Sequence, residues 1–321
     1  MKRWISIEVA LTAFIVVYGV ASAQPYPSRP IRLVIDFPPG GASDALARLV
    51  GQKLIESLGQ PIIYDNRPGA NGVIAYSIAA KAPPDGYTLV LLSTPFPLNA
   101  VLERKLAYDT TKDIAPIAFI ANYSNILVVN PSVPARTVQE LVRYAKGKPG
   151  MISYASSGTG SVQHLAMELF RRQAGFEAVH VPYAGSAPAV IDLLGGHVEA
   201  GIAILTAAIP HMRSGRLRAL AVLSENRVPQ APDVPTLTES GFALVATGWA
   251  GIGAPAGIPR QIIDRFSREI ARIIEVPDVK ERILALGGEP RHGAPQEFRR
   301  FVLDEINRWS PVIRESGALQ N

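Results

Sequence analysis

The sequence predicts an α/β fold built as two lobes, and three observations carry that expectation. Short apolar, β-branched runs alternate with amphipathic segments at helical spacing along most of the chain. The alternation starts again after Asn122, as if a second unit began there. In each half a strand runs into a glycine- and serine-rich turn that opens a helix, the place where open α/β sheets bind ligands. A chain of 321 residues suits about two domains with a sizeable core.

The first strand is expected over residues 31–37, where Ile31, Leu33, Val34, Ile35 and Phe37 are apolar. Two prolines and two glycines, Pro38 to Gly41, break it. A helix follows from Ala45, with Leu46, Leu49, Val50 and Leu54 on one face and Ser43 or Asp44 as its cap. Residues 61–65 read as a second strand, 66–72 as a turn, 73–82 as a helix and 87–92 as a third strand running into Ser93-Thr94-Pro95-Phe96-Pro97. In the second half, strands are expected over 126–129, 152–155, 178–182, 201–204 and 217–223. Helices are expected over 138–146, after Ser161, and over 186–195, the last with Pro188 near its start and Gly195-Gly196 at its end. A segment at 249–254 precedes helices expected near 259–274, 279–286 and 295–316.

Residues 1–23 read as an export signal: Lys2 and Arg3, an apolar stretch from Val9 to Val20, then Ala21-Ser22-Ala23 before Gln24. A periplasmic location is therefore expected. The chain has no cysteine, so its core rather than disulfides must hold it. The formal charge of +5, or +4 without the leader, is spread rather than gathered into an aromatic-studded basic stripe, which argues against nucleic acid. A mild positive field instead favours anionic solutes.

The chemistry-bearing segment is Phe37-Pro38-Pro39-Gly40-Gly41-Ala42-Ser43-Asp44. Glycines permit close backbone approach, and a helix N-terminus offers unpaired N–H groups and partial positive charge to a carboxylate or phosphate. The same residues also read as no more than a tight turn and a cap. Ser156-Ser157-Gly158-Thr159-Gly160-Ser161 is a second such turn. His164, three residues beyond, can be a cleft hydrogen-bonding group, a structural residue, or the base of a nucleophilic pair with Ser157 or Ser161; no G-x-S-x-G elbow accompanies it. The other histidines lack metal-ligand spacing, and no Walker or dinucleotide glycine pattern occurs, so no metal or cofactor is expected. Phe37 and Phe96 can cover a ligand's apolar body or pack in the core, and Trp249 can line the cleft, pack near a crossover or lie in the core.

Six stretches in order resemble the periplasmic receptors of tripartite tricarboxylate transporters, also called Bug (Bordetella uptake gene) proteins. They are residues 37–44, Asp65-Asn66-Arg67-Pro68-Gly69-Ala70, Pro84-Asp85-Gly86-Tyr87-Thr88-Leu89, Tyr154 with the second turn, Val181-Pro182-Tyr183-Ala184-Gly185-Ser186-Ala187-Pro188-Ala189, and Asp192-Leu193-Leu194-Gly195-Gly196. The resemblance implies a type II periplasmic-binding-protein clamshell with two crossovers. Its lobes would be 24–123 with 246–321, and 124–245. It implies a monomeric solute receptor, not an enzyme, that captures a small carboxylate and delivers it to membrane permease subunits or reports to a membrane sensor. The ligand residues it implies are Phe37, Gly40, Gly41, Ser43, Asp44, Ser93 and Thr94 from one lobe, and Ser157, Thr159, Gly160, Ser161, His164, Tyr183, Ala184 and Gly185 from the other. The alternative is an exported serine hydrolase of small esters using Ser157 or Ser161 with His164.

Five positions depart from the family pattern. Asp36 stands where a proline is common, Asn71 and Ala75 replace glycines, and Ala203-Ile204 stand where an Asp-Asn pair is often found. The last change favours a carboxylate without an amine.

Overall fold

The structure, a computed structural model, describes residues 26–102, 105–183 and 185–316. The expected export signal lies outside these residues, as does Ala184. From the start the chain runs β1 (Ile31–Ile35), α1 (Ala42–Leu58), β2 (Ile62–Asn66), a single 3₁₀ turn (Ala70–Gly72), α2 (Val73–Ala80), β3 (Thr88–Ser93), α3 (Pro95–Leu102) and β4 (Ile114–Tyr123). It continues as β5 (Asn125–Val129), α4 (Val138–Lys146), β6 (Ser153–Ser156), α5 (Val162–Ala174), β7 (Val179–Pro182), α6 (Ser186–Gly195), β8 (Ala200–Ile204), α7 (Leu205–Arg213) and β9 (Arg218–Val222). Last come β10 (Gly248–Pro255), α8 (Arg260–Ile273), α9 (Pro277–Ala285), β11 (Gly288–Pro290) and α10 (Pro295–Ser316).

These strands form two sheets, ordered β11-β4-β10-β3-β1-β2 and β7-β6-β8-β5-β9. Both follow one plan. Three parallel strands are ordered second, first, third, and the strand beside the third is antiparallel and arrives from the other sheet. That visiting strand is β10 in the first sheet and β5 in the second. The chain therefore crosses between sheets twice, at Ser124 and between β9 and β10. The crossings lie side by side, since Asn125 Nδ2 donates to the Ala246 carbonyl at 2.8 Å.

Helices cover both faces of each sheet, which explains the near-continuous apolar runs of the central strands. In the first sheet, Ile31, Leu33 and Ile35 pack against α1, α8 and α9, while Val34, Val90 and Trp249 face α2 and Phe298 of α10. In the second, α4 and α5 cover one face and α6 and α7 the other. Helix α10 serves both, giving Phe298 and Val302 to the first core and Trp309, Val312 and Ile313 to the second.

Several sequence expectations change. The first strand ends at Ile35, because Asp36 and Phe37 already bend toward the prolines. Helix α1 begins at Ala42 with Gly41 as its N-cap, so Ser43 and Asp44 sit inside its first turn rather than capping it. The segment after Ser93 is helical: Pro95 opens α3, where a missing N–H costs nothing. Strand β4 was not anticipated; Pro116 fits it because the pairing with β10 shifts register beside it. Helix α7 follows β8 with no linker, leaving no turn residues to announce it.

Candidate ligand-binding site

The loop from β1 to α1 lies at the carboxyl edge of the first sheet. Gly40 has φ +85°, a left-handed backbone that favours glycine, and its N–H donates to Asp44 Oδ2 at 3.0 Å. Gly41 is extended at φ −79° and carries no side-chain cap. A Cβ at Gly40 would meet nothing within 4 Å, and one at Gly41 only the Pro38 carbonyl at 3.8 Å, so both face open space. Among the described residues, the N–H groups of Gly41, Ser43 and Asp44 meet no protein acceptor. The turn therefore aims free amide donors outward from a helix N-terminus.

Asp44 braces this turn from beneath. Its carboxylate is 3% exposed and also accepts from Arg48 Nε at 2.9 Å and Asn66 Nδ2 at 2.9 Å. Burial works against its charge, but Arg48, the Gly40 amide and Asn66 together hold the carboxyl below the usual range. Asn66 Nδ2 also donates to the Phe37 carbonyl, tying β2 to the loop, and the half-buried Phe37 ring packs on the core of β1 and α1.

Behind the loop sits a buried polar cluster. Asp36 Oδ2 accepts from Tyr76 Oη and from Ser93 Oγ, each at 2.6 Å, and the two hydroxyls lie 3.1 Å apart. Asp36 Oδ1 is buried without a partner. Burial pushes the Asp36 carboxyl up to about 6 despite the two hydroxyl bonds. Thr94 Oγ1 accepts from the Trp249 amide at 3.1 Å. Trp249 and Phe96 are core residues, packed edge-on against Phe119, Phe298 and Phe301 and against Tyr76 respectively, so neither ring covers a ligand.

The second turn closes on itself. Ser161 Oγ accepts from the His164 amide at 3.2 Å, and His164 Nδ1 accepts from the Gly160 N–H at 3.1 Å. Ser157 Oγ donates to Gln163 Oε1 at 2.8 Å, and Gln163 Nε2 donates to Asn125 Oδ1 at 3.1 Å, so a chain of hydrogen bonds runs from this turn to both crossings. Thr159 is exposed. The His164 and His180 rings stack at 3.9 Å, and His180 Nε2 meets Ser156 Oγ at 2.7 Å. Burial, then the neighbouring His180, lowers His164 to about 4, leaving it neutral at pH 7. Neither Ser157 nor Ser161 meets an imidazole nitrogen through its hydroxyl, so the pairing a hydrolase needs is not assembled.

The Tyr183 amide bonds to the Ser156 carbonyl, which sets the β7–α6 loop beside the second turn. The Tyr183 hydroxyl donates to Asp192 at 2.6 Å, and Gly185 caps α6 without a side-chain bond. Gly160 lies against Leu102 of α3, and Leu98 and Leu102 enter the second core, so the second turn sits where the two sheets' layers meet.

The expected loop residues lie at strand ends, and the groups that hold them are Tyr76, Asn66, Arg48, Gln163, Asn125 and His180, which the sequence did not mark as supports. Only Asp36 carried a signal, an acid inside an apolar strand run. Two surface concavities of about 280 Å³ and 380 Å³, beside Arg260 and Arg171 respectively, contain none of the candidate ligand residues.

Comparisons with known proteins agree with this architecture. Protein BugT of Bordetella pertussis is 40% identical over 311 residues, covering 95% of each chain. The solved structure of Rhodopseudomonas palustris Rpa4515 with adipate superposes with a TM-score of 0.80 at 37% identity, covering 91% of this chain and 98% of that one. That of MatC, from the same organism with bound malate, gives 0.77 at 31% identity, covering 90% and 100%. Periplasmic binding protein BugD gives 0.77 at 29%, covering 92% and 100%. The fold is thus the two-sheet α/β architecture of the periplasmic binding proteins. The model of the tripartite tricarboxylate transporter family receptor (TctC) matches residues 46–318, and the chain belongs to that family.

Proposed function

We propose that this protein is an exported receptor that captures a small organic carboxylate between two lobes and hands it to the permease subunits of a tripartite tricarboxylate-type transporter. The observation that carries the reading is the first turn: unpartnered amides at the N-terminus of α1, facing open space before Gly40 and Gly41. Relatives with adipate and malate bound support the ligand class. The lobes are 24–123 with 246–321, and 124–245, joined at the paired crossings. The second lobe contributes Ser157, Thr159 and the Gly160 backbone. Ala203 and Ile204, with no acid between them, favour a ligand without an amine. The protein acts as a monomer in the periplasm after loss of residues 1–23, and it is not an enzyme.

A thermal-shift screen of mono- and dicarboxylates against neutral sugars and cations tests this. A binding acid at a hundredfold excess over its Kd adds about 2.7 kcal/mol of stability. Shifts from sugars or cations alone overturn the ligand class, and covalent labelling by a serine-reactive phosphonate restores the hydrolase.

A further inference from the structure

The cluster behind the first turn has a place for a proton that it does not hold when Asp36 is ionised. Asp36 Oδ2, Tyr76 Oη and Ser93 Oγ form a triangle with edges of 2.6, 2.6 and 3.1 Å. Two hydroxyls supply two protons for three edges. A third proton, on Oδ2, lets all three oxygens donate and accept around the ring. Asp36 Oδ1 then becomes a neutral carbonyl oxygen, which tolerates its partnerless burial far better than a carboxylate oxygen does.

We propose that Asp36, Tyr76 and Ser93 form a proton site linked to the anion site, so that a carboxylate seated on the Gly40–Asp44 turn draws one proton from solvent onto Asp36. This deepens the carboxylate reading above and rests on it. No more than about 14 Å of chain separates Asp36 from Gly40. At a charge separation of about 14 Å and an effective dielectric of about 20, a bound negative charge favours protonation of Asp36 roughly sevenfold.

Among the described residues, no cation acts on Asp36. What acts on Asp36 is its burial, the Ser93 hydroxyl of β3, the Tyr76 hydroxyl of α2 and its own amide. The Tyr108 ring packs on Tyr76 from the segment after α3, and Trp249 of β10 lies in the same apolar layer. Arg48 is engaged with Asp44. The carboxyl's elevation to about 6 places the linkage in the range from weakly acid to neutral pH.

The test is calorimetric titration at pH 6.5 in two buffers of different ionisation enthalpy, with malate, adipate, succinate, benzoate and citrate as probes. Wild type should take up a few tenths of a proton per acid bound. Its Kd should weaken several-fold from pH 6 to pH 8.5. Asp36→Asn, checked for folding by circular dichroism, should lose both the uptake and the pH slope. Tyr76→Phe, which removes one stabilising donor, should move the uptake to higher pH and decides the matter if the first variant does not fold. An acid that binds wild type without proton uptake overturns this inference and leaves the carboxylate reading intact. Uptake that persists in folded Asp36→Asn, or complete loss of binding there, also overturns it. If no acid binds, the carboxylate reading falls and takes this inference with it.

Discussion

The two turns that open α1 and α5 are built on one plan and finished in opposite ways. In each, a left-handed glycine precedes the N-cap, Gly40 at φ +85° and Gly160 at φ +77°. In each, its N–H is taken by the third residue of the helix, Asp44 in one and His164 in the other. The first N-cap is the bare Gly41; the second is Ser161, whose hydroxyl satisfies a helix amide. One turn further along, Asp44 finds Arg48 as counter-ion, whereas the neutral His164 has Glu168, itself bound to Tyr154 and Arg171. The first turn therefore keeps its outward amides free and places its one charge inward. The second satisfies its own donors and offers hydroxyls and shape. An anion site needs the first arrangement, and a closing wall needs only the second.

The largest expected effect tests the brace. Asp44→Ala strands Arg48, Asn66 and the Gly40 amide, and urea unfolding should show a loss of about 3 kcal/mol. A loss below about 1 kcal/mol would mean the turn does not depend on its inward charge.

Acid should weaken the second turn. The folded His164 sits near 4, below the 6.5 of an unfolded chain, so the folded state holds fewer protons. Its contribution is complete above pH 6.5 and drains away as pH falls toward 4, reaching on the order of 3 kcal/mol. Protonation also turns Nδ1 from acceptor to donor against the Gly160 N–H. His164→Asn, which keeps an acceptor but does not titrate, should flatten that slope in thermal melts taken from pH 7 to 4. An unchanged slope would place the acid sensitivity elsewhere.

The N-caps should differ in binding rather than in stability. Gly41→Val has room and an ordinary backbone angle but puts a poor N-cap residue in place of glycine, so stability should fall by about 1 kcal/mol while carboxylate affinity falls at least roughly tenfold. Ser161→Ala should cost a similar amount of stability, about 1 kcal/mol, with a smaller change in affinity. Titration calorimetry with parallel denaturation measures both, and equal behaviour of the two variants would erase the proposed difference.

What the sequence made legible follows the same division between local and distant physics. Helices α4, α6 and α10 were expected over the residues they occupy, because their signals are local. Thr137 Oγ1 accepts from the Glu140 amide and caps α4, the Glu140 carboxylate reaches back to the Arg136 amide, and Gly196 ends α6 in a left-handed conformation. The turns were legible for the same reason. The Asp36 triangle was not, since its partners lie 40 and 57 residues away, nor was the tie from Asn125 to Ala246, 121 residues apart. Strand β4 and helix α3 carry prolines that read as breaks, although both sit where a missing N–H is tolerated.

The central claim, that free amides of the first turn hold the carboxylate, is tested most directly by amide chemical-shift mapping of ¹⁵N-labelled protein during titration with the best-binding acid. The account predicts that the largest movements fall on Gly41, Ser43 and Asp44, with smaller ones at Ser157 and Thr159. Saturable binding that leaves the amides of Gly41, Ser43 and Asp44 unmoved while those of Gly158 to Ser161 shift would contradict it.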